Sequence, residues 1–231
     1  MAFQGYTQET VDFMWGIRFN NERGWFLEHK DDYINTFLTP TRELGEQAYD
    51  AVHALLPDEP LMLKVSRIYR DARRLFGRGP YKDHLWWCIR TGDKDWTGRP
   101  TFWFELGPDY YSFGLGFWSP AAALMETYRK QIDAHPEELS KLVRQFNRQS
   151  VFTLDGPEYA RSKGQTSDLL RSWYQKKSLS LRWEGPLDER IFTSALAEDI
   201  IAGFKTLIPF YHYFNKLVAL TPRQERRGEE A

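Results

Sequence analysis

The stretch TFWFELGPDYYSFGLGF, residues 101–117, restricts the fold more than any other part of the chain. Two runs of aromatic and apolar residues flank Gly-Pro-Asp, a turn sequence, so the chain is expected to double back as an antiparallel hairpin. Successive side chains of a strand alternate between faces. On the second arm Tyr111, Phe113, Leu115 and Phe117 therefore point one way, and Ser112, Gly114, Gly116 and Trp118 the other. One face is bulky and needs a cover, while the other is almost bare. Segments 62–69 and 84–91 share this character, and 150–154 and 178–184 read as further strands.

Helical spacing governs the flanks. Residues 8–19 carry Phe13, Met14 and Ile17 as an amphipathic helix, and a second follows through Trp25, Phe26, His29, Tyr33 and Phe37 as far as Pro40. Thr39 as cap and Pro40 in the first turn predict a third, with Leu44, Ala48, Val52 and Leu55 on one stripe. Beyond the hairpin, Ser119-Pro120 predicts a helix bearing Leu124, Tyr128 and Ile132, and another follows His135-Pro136. A long helix begins near Leu187 and breaks or kinks at Pro209. Helices, then hairpins, then helices describe an α+β fold, an antiparallel β-sheet with N- and C-terminal helices packed on it. We expect one globular domain over 1–217 and a disordered, charged tail over 218–231.

Apolar residues make up 42% and charged residues 27% of the 231, the balance of a globular chain. No leader pattern opens the sequence and no apolar run is long enough to span a membrane, so a cytoplasmic protein without a membrane partner is expected. The single Cys88 rules out an intrachain disulfide and reads as a buried thiol. Five histidines show neither H-x3-H nor HExxH spacing, so no metal site is expected and no cofactor can be named. A P-loop, a GxGxxG turn and a GxSxG elbow are all missing. The helix start expected at Ser119 would offer unsatisfied N–H groups to an anion.

Charge is concentrated in one place. RIYRDARRLFGRGPYK, residues 67–82, holds five arginines and one lysine against a single acid, Asp71, in a chain of net charge −1. If the start of this stretch is a strand, Arg67 and Arg73 share a side; if it is a helix, Arg67, Arg70 and Arg74 do. Arginine suits bidentate contact with phosphate or carboxylate, Asp71 can orient a guanidinium, and the GRGPYK turn returns Tyr81 and Lys82 to the same surface. Glu105 lies alongside Trp103 on the face opposite Phe102 and Phe104. With Asp71 it is the best acid–base candidate.

NNERGWFLEHKDDY, RIYRDARRLFGRGPYK, YYSFGLGFWSP and LLRSWYQKKSLSL occur in the order of a widespread bacterial family of conserved hypothetical proteins, domain of unknown function 2461, which the chain resembles over residues 3–217. The family pattern of Arg-Asp-x-Arg, a loop and Pro-Tyr-Lys falls on Arg70, Asp71, Arg73, Pro80, Tyr81 and Lys82. Asn21 and Trp25 match an early motif, Gly114, Gly116 and Trp118 a second, and Arg129 the position of a helical arginine. The resemblance implies a site at these residues and carries no activity with it.

The readings that follow are three. In the first, a small-molecule pocket grips an anionic ligand, phosphate or carboxylate, with Arg70, Arg73 and Lys82, and Tyr81, Trp25 and Trp118 form its wall. In the second, the same cations and rings bind nucleic acid or a nucleotide, which a pI near 6.5 disfavours. In the third, the Arg/Asp/Lys motif is architectural. Whether the chain is an enzyme, and its oligomeric state, stay open.

Overall fold

A computed structural model describes residues 2–71, 73, 75 and 77–222 of the chain. Its centre is one six-stranded sheet, every pairing antiparallel, in the order β1-β2-β3-β4-β6-β5. The strands are β1 (Leu61–Val65), β2 (Leu85–Thr91), β3 (Pro100–Leu106), β4 (Tyr110–Phe117), β5 (Thr153–Asp155) and β6 (Ser180–Pro186). The expected hairpin is β3–β4, with Phe104 opposite Phe113 and Leu106 opposite Tyr111. The α+β class and the antiparallel sheet agree with the alternation read from the sequence.

The bulky face is covered as its pattern requires. Helices α4 (Thr39–Leu55) and α8 (Ala195–Leu220) pack on each other and on the sheet. Trp87 and Phe102 of the sheet meet Phe204 and Tyr211 of α8, with ring centroids 4.9 Å apart for Phe102–Phe204 and 5.5 Å for Phe102–Tyr211, and Phe104 stacks on Trp87. All five side chains are fully buried. Each ring withdrawn from water contributes about 2–3 kcal/mol, which is what ties the two ends of the chain to the hairpins.

The N-terminal helices depart from expectation at Pro40. After α1 (Gln8–Phe19), α2 (Arg23–Glu28) and α3 (Lys30–Asp32), the chain takes one π-helical stretch, Tyr33–Leu38, and enters α4 without stopping. Thr39 is helical, with its N–H on the carbonyl of Ile34, so it is no cap. Pro40 has no N–H for the carbonyl of Thr36, and the buried hydroxyl of Thr10 donates to that oxygen at 2.6 Å instead. A tertiary contact thus supplies the bond that the proline removes.

Other expectations are corrected similarly. The helix after the hairpin, α5 (Ala122–Ala134), starts after Ala121, and the N–H of Ser119 is spent on the carbonyl of Thr97 at 2.8 Å. The Ser119 N–H is therefore not free to meet an anion. α6 spans Pro136–Phe146, and α7 spans Arg171–Tyr174. Pro209 lies within α8, which runs on to Leu220, past the 217 boundary; residues 223–231 of the expected tail lie outside the described residues. Among its described residues the basic stretch enters no strand of the sheet and forms no α-helix. Tyr69 and Tyr81 form one isolated bridge, and Arg74 lies outside the described residues.

Candidate functional site

The face of the sheet turned away from α4 and α8 carries the residues that the register places in rows. Trp86, Glu105, Ser112 and Glu184 form one row, Cys88, Trp103, Gly114 and Arg182 the next, and Thr101, Gly116, Ser180 and Asp155 a third. All of these but Gly114 and Glu184, with Trp96 and Trp118 at one end, line most of a trough of about 390 Å³. Trp118 is 73% exposed and lies 6.5 Å, centroid to centroid, from both Trp86 and Trp96. The walls are aromatic and the floor is small.

Gly114 and Gly116 make that floor for a reason the sequence does not reveal. A Cβ on Gly114 would stand 2.1 Å from the carbonyl oxygen of Leu181, and one on Gly116 would stand 2.5 Å from that of Leu179. Neither distance is sterically possible, so the glycines let β6 approach β4, and the bare floor follows from that approach.

Charges of both signs line this face. Arg182 pairs with Glu184 and, at 3.6 Å, with Asp155, and lies over the ring of Trp103. Glu105 accepts a hydrogen bond from the Tyr110 hydroxyl, and burial first, then this carboxylate, raises the Tyr110 pKa. Lys82 extends its ammonium over Trp86, 5.5 Å from the ring centroid. Burial first, then Arg70 and Arg67, draw its pKa down to about 8, against the opposing pull of Glu105. Among the described residues Lys82 makes no ion pair. Cys88, on the floor, is a buried thiol pushed up to about 11 by its burial.

Lys82 owes its position to a bracket built from the other motif residues. Asn21, in the turn between α1 and α2, bonds both main-chain groups of Tyr81, and Arg70 Nε donates to the Tyr81 carbonyl at 2.8 Å. The Tyr81 ring is buried and stacks on Phe26 at 4.3 Å. The N–H groups of Arg70 and Lys82 reach the carbonyls of Pro80 and Ile68. Asp83 accepts from Arg18 at 2.7 Å and from His84 at 3.0 Å, with Arg70 at 4.0 Å. Adjacent residues in extended chain face opposite ways, so holding Tyr81 inward turns Lys82 outward.

The expected site residues therefore divide. Glu105, Gly116 and Trp118 line the trough, Gly114 lies in its floor row, and Lys82 reaches its Trp86 wall. Arg70, Asn21 and Tyr81 hold the bracket. Trp25 is elsewhere, stacked on His29 at 4.0 Å and packed against Gly16 of α1. Arg73 and Asp71 form a bidentate pair at 3.0 and 2.7 Å, with the Arg73 side chain 88% exposed, and neither lines the trough. Arg129, on α5, lies over Tyr159 rather than at the trough. Sequence reasoning missed Trp86, Trp96, Arg182 and Asp155. Strand alternation could have placed Trp86 with Cys88, but nothing local announces that Asp155 of β5 crosses to Ser180.

Among the described residues no helix is long and apolar enough to cross a membrane, and no group of three or more His, Cys, Asp and Glu could hold a metal. None of the curated proteins matches the chain. The family model for the conserved hypothetical proteins DUF2461 matches residues 9–213, which include every strand, the bracket and the trough, and the chain belongs to that family.

Proposed function

We propose that the trough binds a small molecule that joins a flat ring to an anionic group, phosphate or carboxylate. The observation that carries this reading is Lys82, a cation without an ion pair beside an aromatic wall. A charge held in dry surroundings gains more from an opposite charge than the same charge in water. An anion that meets Lys82 would also offset the burial and the neighbouring Arg70 that lower its pKa. The ring belongs on Trp118, where a large exposed indole beside Trp86 and Trp96 gains cover by stacking.

In this reading Arg70, Asn21 and Tyr81 position Lys82 and do not touch the ligand. Glu105 is the group set to exchange a proton with the ligand if a reaction occurs, because it shares the rim with Lys82 and Tyr110. A nucleic-acid surface is the weaker reading. Glu105, Glu184 and Asp155 interrupt the cations Lys82 and Arg182, whereas a phosphate backbone calls for a continuous basic stripe. The same reading keeps the protein in the cytoplasm, where its one thiol stays reduced.

The test is a tryptophan-fluorescence titration with phenyl phosphate, benzoate and phenol. Saturable quenching by either anion is expected, at least roughly tenfold weaker in Lys82→Gln and in Trp118→Ala, with phenol weak throughout. Anion binding that Lys82→Gln leaves unchanged, or no saturable response to any of the three in the wild type, would refute the proposal.

A further inference from the structure

A second cluster of cations lies outside the trough. Tyr159 stands in the loop between β5 and α7, and three positive side chains lie over its ring. Lys163 Nζ is 4.4 Å from the centroid, the Arg129 guanidinium carbon 5.2 Å and Lys177 Nζ 5.4 Å. No two of them can be more than about 11 Å apart, twice the longest of those distances. A ring has two faces, so at least two of the three share one.

The backbone holds these groups in place. The Tyr159 N–H reaches the carbonyl of Gln175 at 3.0 Å, and the Lys177 N–H reaches that of Pro157 at 2.7 Å. The Lys163 N–H is taken by the side-chain oxygen of Gln175 at 3.2 Å. Arg129 comes from the second turn of α5.

Nearby acids are engaged with other partners. Glu158 pairs with Lys176 at 2.9 Å, Asp168 pairs with Arg171, and Asp133, one turn along α5 from Arg129, accepts from the Tyr174 hydroxyl at 3.1 Å. Among the described residues Arg129, Lys163 and Lys177 make no ion pair. Arg129 Nη1 is buried with no hydrogen-bond acceptor, an unusual state for a guanidinium N–H. Tyr159 offsets part of the mutual repulsion through its ring face, but a ring quadrupole does not neutralise three charges.

We propose that Arg129, Lys163 and Lys177 around Tyr159 form a binding site for a small free oxyanion of the phosphate class, inorganic phosphate or pyrophosphate. A tetrahedral dianion offers oxygens to a planar guanidinium fork and to two point charges at once. None of the four residues lines the trough, so this site stands or falls apart from Lys82.

Isothermal titration and thermal unfolding with sodium phosphate and sodium pyrophosphate, at ionic strength matched by sodium chloride, test it. Lys163 and Lys177 are exposed, so Lys163→Gln and Lys177→Gln should leave the fold intact. The expected result is saturable binding of pyrophosphate by wild type and by Lys82→Gln, weakened roughly tenfold in each of the two cluster variants. Without added anion both cluster variants should unfold at or above the wild-type temperature, because removing one of three like charges relieves repulsion. The proposal is overturned if chloride alone reproduces the effect, or if the cluster variants bind as wild type does. Unfolding of both variants at a lower temperature with no pyrophosphate response in wild type would make the cluster a cation–ring contact only. Binding of a short single-stranded oligonucleotide without any response to pyrophosphate would reassign it to nucleic acid.

Discussion

The side-chain amide of Asn21 spans the main chain of Tyr81: Oδ1 accepts from the Tyr81 N–H and Nδ2 donates to the Tyr81 carbonyl, each at 2.9 Å. A strand partner would make the same two bonds, so one side chain substitutes for a missing neighbour at the end of an irregular loop. Its removal orphans a buried N–H, while the carbonyl keeps Arg70 Nε. Asn21→Ala should cost about 1–3 kcal/mol in urea unfolding, and Arg70→Ala, which also loses its contact with Asp83, a similar amount. A loss below about 0.5 kcal/mol for Asn21→Ala, the scale of an ordinary surface change, would show that the bracket is not structural.

Gly79 lies against the same amide. A Cβ there would stand 2.2 Å from Asn21 Oδ1, so Gly79→Ala must displace the side chain that holds Tyr81. The two substitutions strike one interaction and should not add. Measured by the same unfolding assay, the double variant Asn21→Ala/Gly79→Ala should be more stable than the sum of the single losses predicts, by about 0.5 kcal/mol or more. Strict additivity would mean that the methyl group is absorbed elsewhere.

Why the sheet was legible and the site only partly so follows from the range of the forces involved. Phe113 and Gly114 fall on opposite faces because backbone alternation is local, and the Gly-Pro-Asp turn sets the register of β3 and β4 within a few residues. The Asn21–Tyr81 clamp joins positions sixty residues apart and leaves no periodic trace. Arg70 reads as a ligand contact from its charge alone, and only tertiary structure gives its Nε to a carbonyl. Pro40 misled for the same reason, since the hydroxyl that rescues its helix comes from Thr10.

Lys82 should destabilise the fold at neutral pH. Its folded pKa, about 8, is below its ordinary value of 10.5, so the folded chain holds this proton less tightly than the unfolded chain does. The penalty is present in full below pH 8 and fades as pH rises toward 10.5. Lys82→Met should therefore raise Tm at pH 7, by roughly 2–4 °C for each 1 kcal/mol relieved, and the gain should shrink across that window. A gain that grows with pH would reverse the sign of the lysine's contribution.

Glycine positions separate close approach from mere flexibility. Gly114→Ala and Gly116→Ala set a methyl group against the β6 backbone, which cannot rotate away, and should cost at least about 2–3 kcal/mol each. A Cβ added at Gly24, inside α2, would meet nothing within 4 Å, and Gly24→Ala should stabilise by about 0.5–1 kcal/mol through helix propensity. Thermal unfolding of the three variants reads the contrast directly. Equal tolerance at all three would mean that the β4–β6 spacing adjusts freely.

Asp83 gives the acid limb. The hydrogen bond from His84 and then that from Arg18 hold its carboxyl well below the usual carboxylate range, although burial pulls the other way. A depressed carboxylate stabilises the fold above its unfolded pKa, about 3.9, and that contribution is lost as pH falls from there toward the lower folded value. Asp83→Asn keeps the shape but weakens the attraction for Arg18 and Arg70, at a cost of about 1.5–3 kcal/mol at pH 7. Near pH 3 the wild type has begun to lose the same contribution, so the gap between the two proteins in urea unfolding should narrow. A gap that widens on acidification would mean that the carboxylate is not what anchors Arg18.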